Sequence, residues 1–302
     1  MVTFDTLLAP QLRSIHLACA CFAAAVPLVA AWLHSRAACG DAQARRVGVR
    51  LVGWSLAALA LALVSGLVLG IWNSLVQDNY SELLGALRRK LEWGLAELAF
   101  SAALVYVFWK WWKRTPDLSR GKSILRCSLA VLAGTNLLYH FPLLFAVLDQ
   151  LRSNPELMES AISSSDFRQM IILPMVYTKA LHVILAGVVL CCLVIIWFER
   201  KEDEKQGRLT VTVARVMLAA LVLQLAVGIW MLVVMPAAQR DPLIGMGGVA
   251  PWLLAIAVIL FVAITQTLIP VAGGEKPGRR PAWLVGMILA IFLVMSTIAV
   301  LQ

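Results

Sequence analysis

Apolar residues occur along the chain in eight long runs, and short segments carrying most of the charge separate them. The runs cover residues 13–34, 50–73, 91–110, 125–148, 174–198, 212–235, 250–270 and 282–301. A helix needs about 20 predominantly apolar residues to cross the hydrocarbon core of a bilayer, and each run has about that length. The pattern therefore predicts an all-α, polytopic membrane protein with eight transmembrane helices.

The composition agrees with this prediction, since 61% of the 302 residues are hydrophobic and only 14% are charged. The connections between the runs are too short for a soluble domain, so we expect any water-soluble partner to be another chain. The net charge of +9 would suggest nucleic-acid binding in a soluble protein. Here Lys and Arg flank the apolar runs, so we expect a lipid bilayer as the partner and no nucleic acid.

The distribution of basic residues predicts an orientation. Of the 26 Lys and Arg residues, 18 lie in or beside the connections after spans 1, 3, 5 and 7. By the positive-inside rule these connections lie in the cytoplasm, which leaves both termini outside. We expect a multi-pass protein of the bacterial inner (plasma) membrane, and we refer below to its predicted cytoplasmic and predicted outer ends. The first run lacks a basic leader region and a cleavage site, so it predicts a retained span.

The two halves of the chain share landmarks that indicate a duplication. A histidine lies near the start of both span 1 and span 5, and a tryptophan lies near the end of each. The matching pairs are Ile15-His16-Leu17 with Leu181-His182-Val183, Trp32 with Trp197, Gly70-Ile71-Trp72 with Gly228-Ile229-Trp230, Trp93 with Trp252, and Ala146-Val147-Leu148 with Ala299-Val300-Leu301. They predict two parallel four-helix units, residues 1–150 and 151–302, related by an axis along the membrane normal.

Three of the four histidines are predicted to lie at one depth, toward the outer end. His16 and His182 are near the outer ends of spans 1 and 5, and His140 is about eight residues from the outer end of span 4. His34 is instead expected at the cytoplasmic boundary. Neutral imidazole is the form that binds iron or copper, so His16, His140 and His182 are the candidate metal ligands.

A b-type haem needs two imidazoles, or an imidazole and a methionine, on facing helices. His140 could pair with either His16 or His182, and His182 could also pair with Met295 in span 8. The predicted cofactor is haem b, one or two per chain, with copper as the alternative. The competing interpretation is that the histidines only join helices through hydrogen bonds.

Two ionisable residues are candidates for proton or cofactor chemistry. Glu97 lies in the first turns of span 3, near the predicted level of the histidines, where it could take a proton from a quinol. Lys179 opens span 5 and is either an interface anchor or, with Tyr177, a contact for a haem propionate or a quinone. Glu97 and Lys179 are therefore the candidate catalytic residues, and Tyr177 is a candidate cofactor contact.

The longest outer connection, at about residues 149–169, carries four acidic residues. They are Asp149, Glu156, Glu159 and Asp166. The connection is predicted to contain a short surface helix that starts at Asn154-Pro155. Its acidic face could dock a basic periplasmic electron-transfer protein, or it could simply be an acidic loop outside the membrane.

The stretch Lys179-Ala180-Leu181-His182-Val183 resembles the K-x-L-H-V opening helix of the copper-resistance D family and of the four-helix, haem-containing membrane protoporphyrinogen oxidases. In the oxidases a histidine in such a helix is a haem ligand and a nearby lysine is functional, which implies these roles for His182 and Lys179. The match covers about ten residues. Eight spans suit the copper-resistance family, although its methionine- and histidine-rich outer segments are missing here.

Three functions follow as expectations. The first is a b-type cytochrome-like subunit of a membrane oxidoreductase, which passes electrons between a quinol and a periplasmic partner or companion subunit. The second is a copper or small-ion transporter of the copper-resistance D type. The third is a membrane anchor subunit without redox chemistry.

Overall fold

The computed structural model describes residues 4–76, 80–115, 119–154, 162–200, 208–245 and 247–301. Within these ranges it contains eleven helices and no strand. Eight of the helices are long and apolar enough to cross a membrane. The predicted all-α, eight-span architecture is therefore confirmed.

Each spanning helix is longer than the apolar run that predicted it. They are α1 (Phe4–Ala38), α2 (Ala42–Val76), α4 (Arg88–Arg114), α5 (Arg120–Ser153), α7 (Pro174–Glu199), α8 (Arg208–Val234), α10 (Ala250–Ala272) and α11 (Arg280–Leu301). Helical hydrogen bonding continues through the polar ends because charged residues are good helix formers once they leave the hydrocarbon. Span 5 matches its prediction closely, since Pro174 occupies the first turn of α7, a position that proline favours.

Three short helices complete the structure: α3 (Tyr80–Ala86), α6 (Ser164–Ile171) and α9 (Ala237–Ile244). Asn154 caps the end of α5, and residues 155–161, where the helix predicted from Asn154-Pro155 would begin, lie outside the described part of the chain. Helix α6 begins after Ser163, because Ser163 and Asp166 form a reciprocal capping box.

Helices α1 and α7 form the centre of the bundle. Each contacts the other, and each also contacts α5 and α11. They approach closely at Gly187, where a Cβ atom would lie 2.5 Å from the carbonyl oxygen of Cys21 and 2.9 Å from Cβ of Ala25. If His16 is aligned with His182, then Cys21 is the counterpart of Gly187. A two-fold axis between two parallel helices brings equivalent residues of the two helices into contact, as is seen for Cys21 and Gly187. The packing therefore favours the division into two units, although that division stays a prediction.

The apolar core is continuous in the predicted cytoplasmic half and divides toward the outer end. The main cluster includes Ala25, Leu51, Phe108, Ile195 and Met217. One small outer cluster joins α3, α5 and α7, and another joins α7, α8, α9 and α11. His140 and His182 lie on α5 and α7 between the main core and these clusters, and His16 lies outward of the main core on α1.

We expect Gly187→Ala to destabilise the protein by about 1–3 kcal/mol, because the added methyl group overlaps α1. The matched control is Gly286→Ala on α11, where nothing lies within 4 Å of the added atom. Thermal unfolding of both variants in the same detergent, followed by tryptophan fluorescence, makes the comparison. Equal midpoints for the two variants would contradict the close crossing.

The predicted orientation can be tested through Cys39, which is exposed between α1 and α2. A membrane-impermeant maleimide added to intact cells whose outer membrane has been opened should label Cys39 only after the inner membrane is permeabilised. In a Cys39→Ser background, Ser81→Cys at the exposed start of α3 should be labelled without permeabilisation. The reverse pattern would invert the topology.

Candidate functional site

His16 is held by the second helix of its own unit. Its Nδ1 lies 2.9 Å from the carbonyl oxygen of Ala62 on α2 and 3.4 Å from Oγ of Ser65. The ring lies over Gly66, where a Cβ atom would be only 2.7 Å from Cε1 of the imidazole. A carbonyl oxygen can only accept, so Nδ1 carries the proton and donates. The lone pair is therefore on Nε2, which makes no hydrogen bond within the described residues.

His182 has the same relation to α8. Its Cε1 lies 3.7 Å from the position that a Cβ atom on Gly228 would occupy. Its Nδ1 is buried beside the backbone of Gln224, four residues before Gly228, but it does not reach hydrogen-bonding geometry. Ala62 likewise precedes Gly66 by four residues, so the two histidines have similar positions relative to the next helix, although only His16 forms the hydrogen bond.

These contacts correct one detail of the predicted alignment. The ring of His182 lies at Gly228 and the ring of His16 lies at Gly66, so Gly66 is the structural counterpart of Gly228. The sequence comparison had paired Gly228 with Gly70, one turn later. Gly66 and Gly70 are four residues apart and therefore lie on the same face of α2, so the sequence alone does not show which of them is equivalent to Gly228.

The rings of His16 and His182 point away from each other. Cys21 faces α7, and His16 lies five residues before it. A separation of five residues corresponds to about 140° around the helix axis, so His16 faces away from α7. The same separation holds between His182 and Gly187. Each ring accordingly meets the next helix of its own unit, α2 for His16 and α8 for His182.

His140 is paired with Glu97, which the sequence had placed at a similar depth. Nε2 of His140 on α5 is 2.7 Å from Oε2 of Glu97 on α4, although that oxygen lies outside the direction of a good hydrogen bond. Asn136 donates to the backbone carbonyl of Glu97 at 3.3 Å and to Oγ of Ser101 at 2.8 Å. Helices α4 and α5 are thus joined by a polar layer inside the membrane.

His140 does not face α7. Asp149 follows it on α5 by nine residues, or about two and a half turns, so the two side chains point in opposite directions. Asp149 forms an ion pair with Lys179 of α7. The structure therefore brings His140 to Glu97 and does not bring it to His182. No group of three or more His, Cys, Asp or Glu residues that could hold a metal ion occurs in the described part of the chain.

The remaining candidate residues have protein partners. Lys179 binds Asp149, and Tyr177 packs edge-on against Trp230 with ring centroids 5.1 Å apart. Met295 packs against the small outer cluster that contains Met175 and Met235. Two of the four acids of the outer connection also have structural roles, since Asp149 pairs with Lys179 and Asp166 caps α6. Glu156 and Glu159 lie outside the described residues.

Sequence reasoning missed a second polar site, around His34. This residue is 4% exposed, and its Nε2 lies 3.1 Å from Oγ of Ser123. Arg126 is also fully buried, and it donates to the carbonyl oxygens of Trp111 and Thr115 at the C-terminal end of α4. The available signal was that Ser123 and Arg126 begin span 4 at the same end of the bundle at which His34 ends span 1.

Comparison of the chain with protein-family models, curated proteins and solved structures finds no match. The geometry of these side chains is therefore the guide to the function of the protein.

The coupling between Glu97 and His140 can be measured with a double-mutant cycle of Glu97→Gln and His140→Gln. We expect a coupling energy of about 1 kcal/mol, because the pair is partly exposed and lies in the membrane. Thermal unfolding in detergent provides the measurement. The exposed Arg88–Glu92 pair is the control and should show no measurable coupling, while additive effects at Glu97 and His140 would contradict the pairing.

Proposed function

We propose that the chain is an integral-membrane b-type haem subunit that transfers electrons between a quinol and a partner on the outer side of the bacterial inner membrane. The observation that carries the proposal is the matched orientation of His16 and His182. Each imidazole is turned by the second helix of its unit so that Nδ1 faces a backbone carbonyl beside a glycine. The resemblance of Lys179-Ala180-Leu181-His182-Val183 to haem-containing membrane proteins supports the same assignment for His182.

The orientation fits an axial ligand chemically. Histidines that bind metals usually donate their other ring N–H to a carbonyl or carboxylate, which fixes the tautomer and the plane of the ring. For His16 this arrangement keeps the lone pair on Nε2, the atom that would bind iron. Glycine at residues 66 and 228 allows the ring to lie close to the neighbouring helix.

The two histidines would serve separate haems, since their rings point in opposite directions from the centre of the bundle. Each haem would then have a single histidine ligand from the chain, in place of the paired ligands expected from the sequence. Bound haem would supply one-electron transfer through its iron. His16 would then hold the haem of the first unit and His182 that of the second. In both cases the protein's part is to fix the ring and to exclude water from it.

His140 and Glu97 suit proton handling better than iron binding. The atom of His140 that would bind iron, Nε2, is the one beside the Glu97 carboxylate. The two groups are close enough to exchange a proton once the side chains turn into line, and an unpaired charge in hydrocarbon is costly. We assign this pair to holding and passing a proton near the predicted outer end of the bundle.

Absorption spectra of the purified chain test the proposal. Protein produced in cells supplied with a haem precursor should show a Soret band and an alpha band that sharpens on reduction. His16→Ala and His182→Ala should each remove roughly half of the bound haem, and the double variant should remove all of it, because each unit supplies its own ligand. His34→Gln, a change at the opposite end of the bundle, is the control and should keep the spectrum.

A wild-type chain without porphyrin would overturn the haem assignment. Copper retained by the same sample, lost on substitution of His16 and His182, would instead favour the transporter of the copper-resistance D type. A chain that holds neither haem nor copper would favour the anchor subunit. A wild-type spectrum that survives in the double variant would move the ligands to other residues.

A further inference from the structure

A groove of about 460 Å³ lies between α1 and α5 in the predicted cytoplasmic half of the bundle. Its floor follows α5 from Ser123 to Thr135, a distance of about 18 Å, and Ser35 contributes from α1. Hydroxyl and thiol groups alternate there with apolar side chains. The lining residues are Ser35, Ser123, Ile124, Cys127, Ser128, Val131, Leu132 and Thr135.

A buried histidine lies behind one end of this groove. His34 is buried, and its ring packs edge-on against Phe108 and Trp112. Its Nε2 contacts Oγ of Ser123 at 3.1 Å, and Ser123 itself lines the groove. Nδ1 of His34 is buried and has no hydrogen-bond partner among the described residues.

The unpartnered Nδ1 of His34 determines which residue is the donor in the hydrogen bond between His34 and Ser123. A buried N–H without an acceptor costs more than a buried lone pair in aromatic surroundings, so the proton belongs on Nε2. Nε2–H then donates to Oγ of Ser123. The hydroxyl proton of Ser123 is consequently free to be donated to something else.

Two other hydroxyl groups of the groove donate to their own helix. Ser35 donates to the carbonyl oxygen of Ala31 at 3.0 Å, and Thr135 donates to that of Val131 at 2.8 Å. Ser123 makes no such bond within the described residues; its hydroxyl contact is with His34. The hydroxyl proton of Ser123 is therefore available to an acceptor that enters the groove.

We propose that this groove binds a quinone, with the ring beside Ser123 and the apolar tail along Val131 and Leu132. A quinone ring presents carbonyl acceptors, which match the free Ser123 proton, while His34 holds the serine in place. Ser123 is at the start of α5, so the ring would lie near the membrane boundary and the tail would run toward the bilayer centre. The inference deepens the proposed function by locating its quinone away from Lys179 and Tyr177, whose side chains have protein partners.

Binding of decylubiquinone, a quinone with a short tail, tests the inference. Purified chain in phosphatidylcholine nanodiscs should bind it saturably, as measured by microscale thermophoresis. Ser123→Ala should weaken binding about fivefold to tenfold, because one hydrogen bond is lost. Ser128→Phe should weaken it more than tenfold by filling the exposed groove, and Ser74→Ala, an exposed serine on α2 outside the groove, should bind as the wild type does.

Wild-type affinity in both Ser123→Ala and Ser128→Phe would overturn the inference, as would the absence of saturable binding. Native mass spectrometry showing a phospholipid that decylubiquinone does not displace would assign the groove to lipid and overturn it as well. Absorption spectra of the same samples separate this result from the haem proposal. Haem without quinone binding removes only the groove assignment, whereas Ser123-dependent quinone binding without haem removes only the haem assignment.

Discussion

The contact between α1 and α7 at Gly187 sets the arrangement of the other helices. A glycine there brings the two backbones together, since even one methyl group would overlap the carbonyl of Cys21. In a membrane, helices gain little from hiding apolar side chains from lipid, so close packing over small residues is a main source of association. With α1 and α7 joined in this way, α5 and α11 fill the two sides of the pair, and the remaining spans pack outside them.

The rotation fixed by this contact decides what the histidines can do. When α1 is rotated about its axis so that Cys21 faces α7, His16 faces α2. The corresponding rotation of α7 makes His182 face α8. A polar ring in the hydrocarbon then needs a partner from the helix it faces. Backbone carbonyl groups are accessible there because Gly66 and Gly228 leave space beside the ring. Orientation of the imidazoles is thus a consequence of helix packing at the centre.

The depth of each residue in the membrane could be predicted from the sequence, whereas the direction in which its side chain faces could not. The eight spans, and the similar level of Glu97 and His140, follow from counting residues along each apolar run. Which way His140 faces depends on how α5 is rotated, and that is set by contacts with distant helices such as the pair Asp149 and Lys179. His34 was missed as a functional candidate for the same reason. Its position at the end of a span suggested contact with water, but aromatic side chains of α4 enclose it.

The two halves of the chain differ where proton chemistry is assigned. Aligning Trp93 with Trp252 places Ile256 opposite Glu97, and aligning Ala146 with Ala299 places Leu293 opposite His140. The second unit therefore has apolar residues at both positions, while the orienting carbonyl and glycine are present in both units. A duplicated scaffold would need its packing twice, and a glycine lies beside the histidine ring in both predicted units, although only His16 reaches hydrogen-bonding geometry with a carbonyl group. Such a scaffold needs an imidazole–carboxylate pair only once if protons enter or leave through a single unit, and this is the asymmetry that the residues display.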